Sequence, residues 1–120
     1  MLLAGVPRSS GAINIILLFQ LVLLMPVLEE IVFRQGVQTG LYKWAVFANS
    51  RFGISIANLV TSILFAAMHL FNQPPVWAAL IFFPSLLFGW ARDRFDSVLP
   101  AIVLHCVYNA GFVLLFVNMT

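Results

Sequence analysis

The stretch Pro26-Val27-Leu28-Glu29-Glu30-Ile31-Val32-Phe33-Arg34-Gln35-Gly36-Val37-Gln38-Thr39-Gly40-Leu41-Tyr42-Lys43-Trp44 puts three ionisable residues at the end of an apolar run that begins near Ile13. If the helix stops at Leu28, Glu29 and Glu30 are ordinary headgroup charges. If it continues, they enter the membrane, where an Asp, Lys or Arg at a helix centre costs about 2.5 to 3.5 kcal/mol on translocon scales. No proline falls between Arg34 and Trp44, and Tyr42, Lys43 and Trp44 read as an interfacial anchor, which favours the continued helix. Glu29 then lies about 20 Å inside that anchor at 1.5 Å per residue, near the middle of a bilayer.

Three further apolar runs, Ile54 to Phe71, Val76 to Trp90 and Val98 to Val117, join the first. Each approaches the length that spans a hydrocarbon core of about 30 Å. None alternates with the period of two that a membrane barrel requires. The predicted fold is all-α: a polytopic transmembrane helix bundle of about four membrane-spanning helices in one domain, residues 1–120, with its motifs over about 26–111. Composition agrees, since 62% of the 120 residues are hydrophobic and only 8% charged, against roughly 25% charged in soluble domains. A soluble chain of this size has too little interior to hide so much apolar surface. The first residues, Met1 to Ala12, lack a charged leader region and read as a retained segment.

Turn chemistry marks Asn72-Gln73-Pro74-Pro75 and Arg92-Asp93-Arg94-Phe95-Asp96 as tight connections. Pro26 and Pro84 fall inside apolar runs and predict kinks, whereas Pro100 suits a first helical turn. Gly36-x-x-x-Gly40 has the small-residue spacing of membrane helix packing. Lys43, Arg51, Arg92 and Arg94 fall on one side of the membrane and Arg8 on the other, which makes the four-residue side cytoplasmic and turns both termini away from it. The net charge of +2 comes from scattered Lys and Arg, so no basic run exists to track nucleic acid. A lone Cys106 excludes an internal disulfide and reads as an inert helix residue.

The same ruler applied to the other helices brings His69 about 20 Å, His105 about 12 Å and Asn109 about 18 Å from the basic side, close to the depth of Glu29. Glu30 and Arg34 are i, i+4 and can pair on one face, while Glu29 is rotated by about 100° and stays free for another partner. His105 and Asn109, also i, i+4, project an imidazole and an amide from one side of the last helix. Bland readings exist for each: His69 as a hydrogen-bonded packing residue, Asn109 as glue between helices, Trp77 and Trp90 as interface anchors, Phe82, Phe83 and Phe95 as packing or lipid contacts. Four polar groups at one depth point to a site. A carboxylate, two imidazoles and an amide suffice to hydrolyse a peptide bond, with a base activating water and donors holding the oxyanion.

Glu29-Glu30-x-x-x-Arg34, Phe65-x-x-x-His69 and His105-x-x-x-Asn109, in this order on separate apolar helices, resemble the CAAX-protease and bacteriocin-processing intramembrane peptidases, which include the Ras-converting CAAX endopeptidases. The resemblance spans Pro26 to Gly111. It implies that Glu29 and His69 activate the attacking water, that His105 and Asn109 bind the oxyanion, and that Glu30 and Arg34 support Glu29. Family members typically carry more helices ahead of the first motif than the roughly 28 residues here, so the chain looks like a minimal core. The implied partners are a membrane-associated protein or peptide substrate and the lipid bilayer, in a prokaryotic cell (inner) membrane. Processing of leaders or C-terminal sorting signals fits short prokaryotic members better than prenylated CAAX proteins.

No cofactor is expected, with zinc held by Glu29, His69 and His105 as the alternative. The chain lacks H-E-x-x-H, and Asn109 beside His105 suits an oxyanion donor better than a zinc ligand. A proton- or ion-transporting subunit is the competing class, because buried Glu and His also relay protons. A peptide-binding membrane chaperone on the same scaffold is the third reading, and the complete motifs argue against it.

Overall fold

The computed structural model describes residues 15–119, with side chains described over 15–115. The expectations for Met1 to Ala12, for Arg8 and for the start of the first apolar run lie outside the described residues.

The first helix, α1, runs unbroken over Ile15–Leu41. It carries Glu29, Glu30 and Arg34 in its interior, so the reading that ends it at Leu28 is not realised. Two segments widen into π-type turns, Gln20–Leu24 and Ile31–Gln38. The first sits immediately ahead of Pro26, whose ring has no N–H to donate and collides with the carbonyl four residues back in a regular helix. Here the Met25 N–H reaches five residues back to the Gln20 carbonyl. This wider spacing lets the helix pass the proline without breaking.

A short helix α2 (Ala45–Ala48) and a two-stranded hairpin, β1 (Ser50–Arg51) and β2 (Ile54–Ser55), follow. They pair antiparallel, Ser50 opposite Ser55. The turn between them uses positive φ at both Phe52 and Gly53, the combination that matches the twist of a two-residue hairpin loop. Because Ile54 and Ser55 belong to this hairpin, the second long helix, α3, begins later than the apolar run predicts, at Ile56. It ends in a 3₁₀ turn over His69–Phe71. Ser55 caps it, its hydroxyl accepting from the Asn58 N–H at 3.0 Å.

Two long helices complete the bundle, α4 over Pro75–Phe95 and α5 over Val98–Met119. The stretch Arg92 to Phe95, read from sequence as a connection, is the last turn of α4. The link shrinks to Asp96, in the left-handed conformation at φ 49°, and Ser97, whose N–H closes back onto the Arg92 carbonyl at 3.2 Å. Pro100 lies in the first turn of α5 as expected. Among the described residues three helices, α1, α4 and α5, are long and apolar enough to cross a membrane. At 16 residues, α3 is shorter, about 24 Å.

Side chains sort as a bilayer requires. Ile15, Val76, Leu99 and Leu114 are 65% or more exposed on the outside, while Arg34, Gln38, Asn58, Thr61, Ser62, Ser85 and His105 are fully buried. Charge and amide thus turn inward and hydrocarbon outward. The apolar core holds Phe33, Phe65, Ile81, Phe88 and Ala101, with Val37 and Leu104 packed against it.

Gly36 and Gly40 do not make the close contact that their spacing suggests, since a Cβ at Gly40 meets nothing within 4 Å and one at Gly36 only the Ile31 carbonyl at 3.7 Å. The residues that do are Ser85 and Gly89 on α4. A Cβ at Gly89 would fall 1.8 Å from Oδ1 of Asn58, and Asn58 Nδ2 donates to the Leu86 carbonyl at 3.0 Å. Small residues here let α3 lay an amide directly on the α4 backbone.

At the basic end Asp93 joins three elements. It accepts from Gln38 Nε2 at 2.9 Å, from Ser55 Oγ at 2.7 Å and from the Tyr42 hydroxyl. Arg92 adds a bond at 3.3 Å and also donates to Thr39. Tyr42 is therefore turned inward rather than serving with Lys43 and Trp44 as an interfacial anchor. Trp44 is 57% exposed.

Candidate active site

Glu29 and Glu30 occupy consecutive positions on α1 and face different partners. Glu30 Oε1 takes the Arg34 Nε–H at 3.0 Å, the expected i, i+4 pair, and both side chains are fully buried. Arg34 makes three further bonds, one to Gln38 on its own helix at 3.5 Å and two across the bundle, to the Ser85 carbonyl at 2.7 Å and to the Ser85 hydroxyl. Ser85 continues to Ser62 at 3.0 Å and Ser62 to Asn58 at 3.1 Å. A buried charge needs such saturation, because each unpaired N–H in an apolar interior costs free energy.

The second Glu30 oxygen holds α5. His105 Nδ1 lies 2.8 Å from Oε2, and the imidazole stacks on Phe88 with centroids 4.7 Å apart and planes at 19°. The resemblance implies that Glu30 supports Glu29; the structure shows its two oxygens bonded to Arg34 and to His105. Nδ1 therefore carries the proton given to Glu30, and among the described residues Nε2 has no partner.

Glu29, 7% exposed, pairs with nothing closer than His69. Its Oε2 is 3.5 Å from His69 Nε2, and among the described residues neither carboxylate oxygen has a hydrogen bond. His69 reaches this place by a local device. Where α3 tightens into its 3₁₀ turn, the His69 N–H bonds back to the Ala66 carbonyl. The Phe65 carbonyl, one turn earlier, is left to accept from His69 Nδ1 at 2.7 Å. A carbonyl only accepts, so Nδ1 holds a proton toward Phe65 and Nε2 faces Glu29. The Phe65 ring, fully buried, lies 4.9 Å from the His69 ring and 5.8 Å from that of His105. That is a physical reason for the Phe65-x-x-x-His69 spacing.

Asn109 lies one turn beyond His105 on the buried seam Ala101, His105, Asn109, Val113 of α5. Its Nδ2 donates to the Leu21 carbonyl on α1 at 3.0 Å, and among the described residues its Oδ1 has no partner. Glu29 with His69, and Glu30 with His105 and Arg34, are thus two adjoining clusters that share the Phe65 ring, with Asn109 anchored separately to α1.

Glu29, His69 and His105, the set considered for zinc, are not gathered as ligands. Among the described residues no three His, Cys, Asp or Glu side chains stand close enough together to hold a metal ion. His105 is turned to Glu30 through Nδ1 instead.

Sequence reasoning missed Gln38, Ser62, Ser85 and Phe88. Gln38 was visible in principle, since Glu30, Arg34 and Gln38 repeat every four residues as a polar stripe. Ser85-x-x-x-Gly89 has the same small-residue spacing as Gly36-x-x-x-Gly40, and spacing does not say which pair meets a neighbour.

No curated protein and no solved structure matches the chain. A family model does, over residues 11–111, a range that contains all three motifs and every residue of both clusters. A membrane-embedded helix bundle with these buried groups, matched over that range, is a CAAX-type endopeptidase in general: the chain belongs to the type II CAAX prenyl endopeptidase Rce1-like family.

Proposed function

We propose that the protein hydrolyses a peptide bond within a membrane-associated protein or peptide, using Glu29 and His69 to activate water. The observation that carries this reading is the Glu29 carboxylate, buried with both oxygens without a hydrogen bond among the described residues and set 3.5 Å from Nε2 of His69. A structural carboxylate in such a place would be paired, as Glu30 is. Water held between the two gives a proton to Glu29 while its oxygen attacks the scissile carbonyl carbon. The developing oxyanion is held by His105 Nε2–H and by the remaining Nδ2–H of Asn109. Because Nδ1–H is given to Glu30, His105 donates through Nε2 as the imidazolium, and Arg34, Glu30, His105 and Glu29 then sum to zero charge. On collapse the C–N bond breaks, and Glu29 returns its proton to the departing amine.

No step in this scheme requires a metal. Such chemistry needs an extended substrate segment, since a helix hides its carbonyls. Leader or C-terminal sorting-signal processing is the substrate class we favour. The Lys43, Arg51, Arg92 and Arg94 end faces the cytoplasm in this reading, in the cell membrane of a prokaryote.

The test is cleavage of a panel of membrane-associated peptides by purified protein in detergent. Glu29→Gln and His69→Ala are expected to abolish turnover, and chelator to leave it unchanged. Cleavage that survives Glu29→Gln would sink the glutamate-base scheme, and zinc rescue after chelation would replace it with a metal-dependent one.

A further inference from the structure

Asn109 hangs from the Leu21 carbonyl, and that oxygen is open to it only because of what happens on α1 nearby. In a regular α-helix the Leu21 carbonyl accepts from the N–H of residue 25. The Met25 N–H is instead committed to Gln20 by the π-type turn. The donor that would take its place one residue further on is at position 26, and Pro26 has no N–H. Both local donors are therefore absent, and an unpaired carbonyl buried in a membrane bundle costs free energy. Asn109 Nδ2 supplies the missing bond at 3.0 Å. This fixes which way the amide lies and leaves its second N–H and its Oδ1 outside that bond.

We infer that Pro26, together with the π-type turn before it, is a positioning residue for Asn109. By denying the Leu21 carbonyl a helical donor, it holds the Asn109 amide in the orientation its role at the site requires. Pro26 is three residues from Glu29 and itself fully buried, so one feature of α1 sets the amide on the facing helix. The catalytic consequence rests on the oxyanion reading proposed above, whereas the anchoring does not.

The experiment separates the two. The Asn109 side-chain amide is followed by NMR in protein labelled with ¹⁵N-asparagine, its signal assigned by its loss in Asn109→Ala, and peptide cleavage is measured on the same samples. In Pro26→Ala an N–H is restored at position 26. The hydrogen-bonded Asn109 proton is then expected to move upfield and kcat to fall about tenfold or more with KM little changed. The double variant Pro26→Ala/Asn109→Ala is expected to cleave no more slowly than Asn109→Ala alone. An unmoved Asn109 signal, or losses that multiply in the double variant, overturns the inference. A moved signal combined with full activity in Asn109→Ala upholds the anchor and removes the oxyanion role instead. Should Pro26→Ala fail to fold, a backbone ester at Val22 weakens the Leu21 carbonyl as an acceptor without touching a side chain. The same signal shift is expected there, and an ester at Leu24 controls for the loss of one helical N–H.

Discussion

His105 and Glu30 are 75 residues apart in sequence and 2.8 Å apart in the structure, joined through Nδ1 and Oε2. The same carboxylate carries Arg34 on its other oxygen. One side chain thus neutralises a buried guanidinium on its own helix and aims an imidazole on another.

Removing that carboxylate's charge strands Arg34. Glu30→Gln is expected to destabilise the protein by about 3 to 5 kcal/mol, the usual cost of leaving one member of a buried ion pair alone. Thermal unfolding in detergent measures it. The double replacement Glu30→Gln/Arg34→Met should recover much of that loss without restoring His105, so its cleavage stays low. A stable, fully active Glu30→Gln protein contradicts the assignment.

Gly89 has room for nothing larger than hydrogen. In Gly89→Ala the new Cβ would overlap Asn58 Oδ1 at 1.8 Å, and α3 must shift away from α4. Overpacking of this kind costs typically about 1 to 3 kcal/mol. Gly40→Ala, which meets nothing within 4 Å, is expected to leave the melting temperature unchanged. Equal effects at both glycines would show that the close contact lies elsewhere.

Asp93 is the acceptor for Gln38, Tyr42, Ser55 and Arg92 at the basic end of the bundle. Asp93→Ala unpairs these donors together and is expected to cost at least about 1 to 3 kcal/mol. The Glu29 and His69 pair, held by α1 and by the Phe65 carbonyl, does not depend on it. Activity per folded molecule should therefore persist. Loss of turnover at unchanged stability would contradict this separation of latch and site.

Tyr42 supplies the pH dependence. Burial first, and then the hydrogen bond to Asp93, raises its phenol above the ordinary value. The folded state therefore keeps the proton longer than the unfolded chain does. Its contribution is complete below the unfolded phenol value of about 10, and is lost as pH rises through the higher folded value. Absorbance titration of Tyr108→Phe, which leaves Tyr42 as the remaining tyrosine, should show ionisation above pH 10, coupled to loss of stability. Titration at an ordinary phenol value would mean that Tyr42 is not turned toward Asp93.

Reading α1 through Glu29 and Glu30 was possible from sequence because no proline interrupts the stretch after Arg34. The Glu30 and Arg34 pair and the shared face of His105 and Asn109 were legible for a similar reason, since both rest on the helical repeat within one element. What escaped is what crosses elements. The Glu30 to His105 bond and the Arg34 to Ser85 bonds depend on how three helices are rotated about their axes, and the repeat of one helix says nothing about its neighbour. The charged turn at Arg92 to Phe95 misled because its polarity resembles a loop. Its arginines instead end a helix whose last carbonyls favour positive charge.

Two of the four proposed site residues, His69 and Asn109, are held by main-chain oxygens, those of Phe65 and Leu21. No codon specifies an oxygen of this kind. The Leu21 side chain is itself buried, but the atom that holds Asn109 belongs to the main chain and is the same whatever side chain stands there. What inheritance must preserve is the course of the chain around it, and that is written five positions away, in an imino acid which itself touches no reacting group.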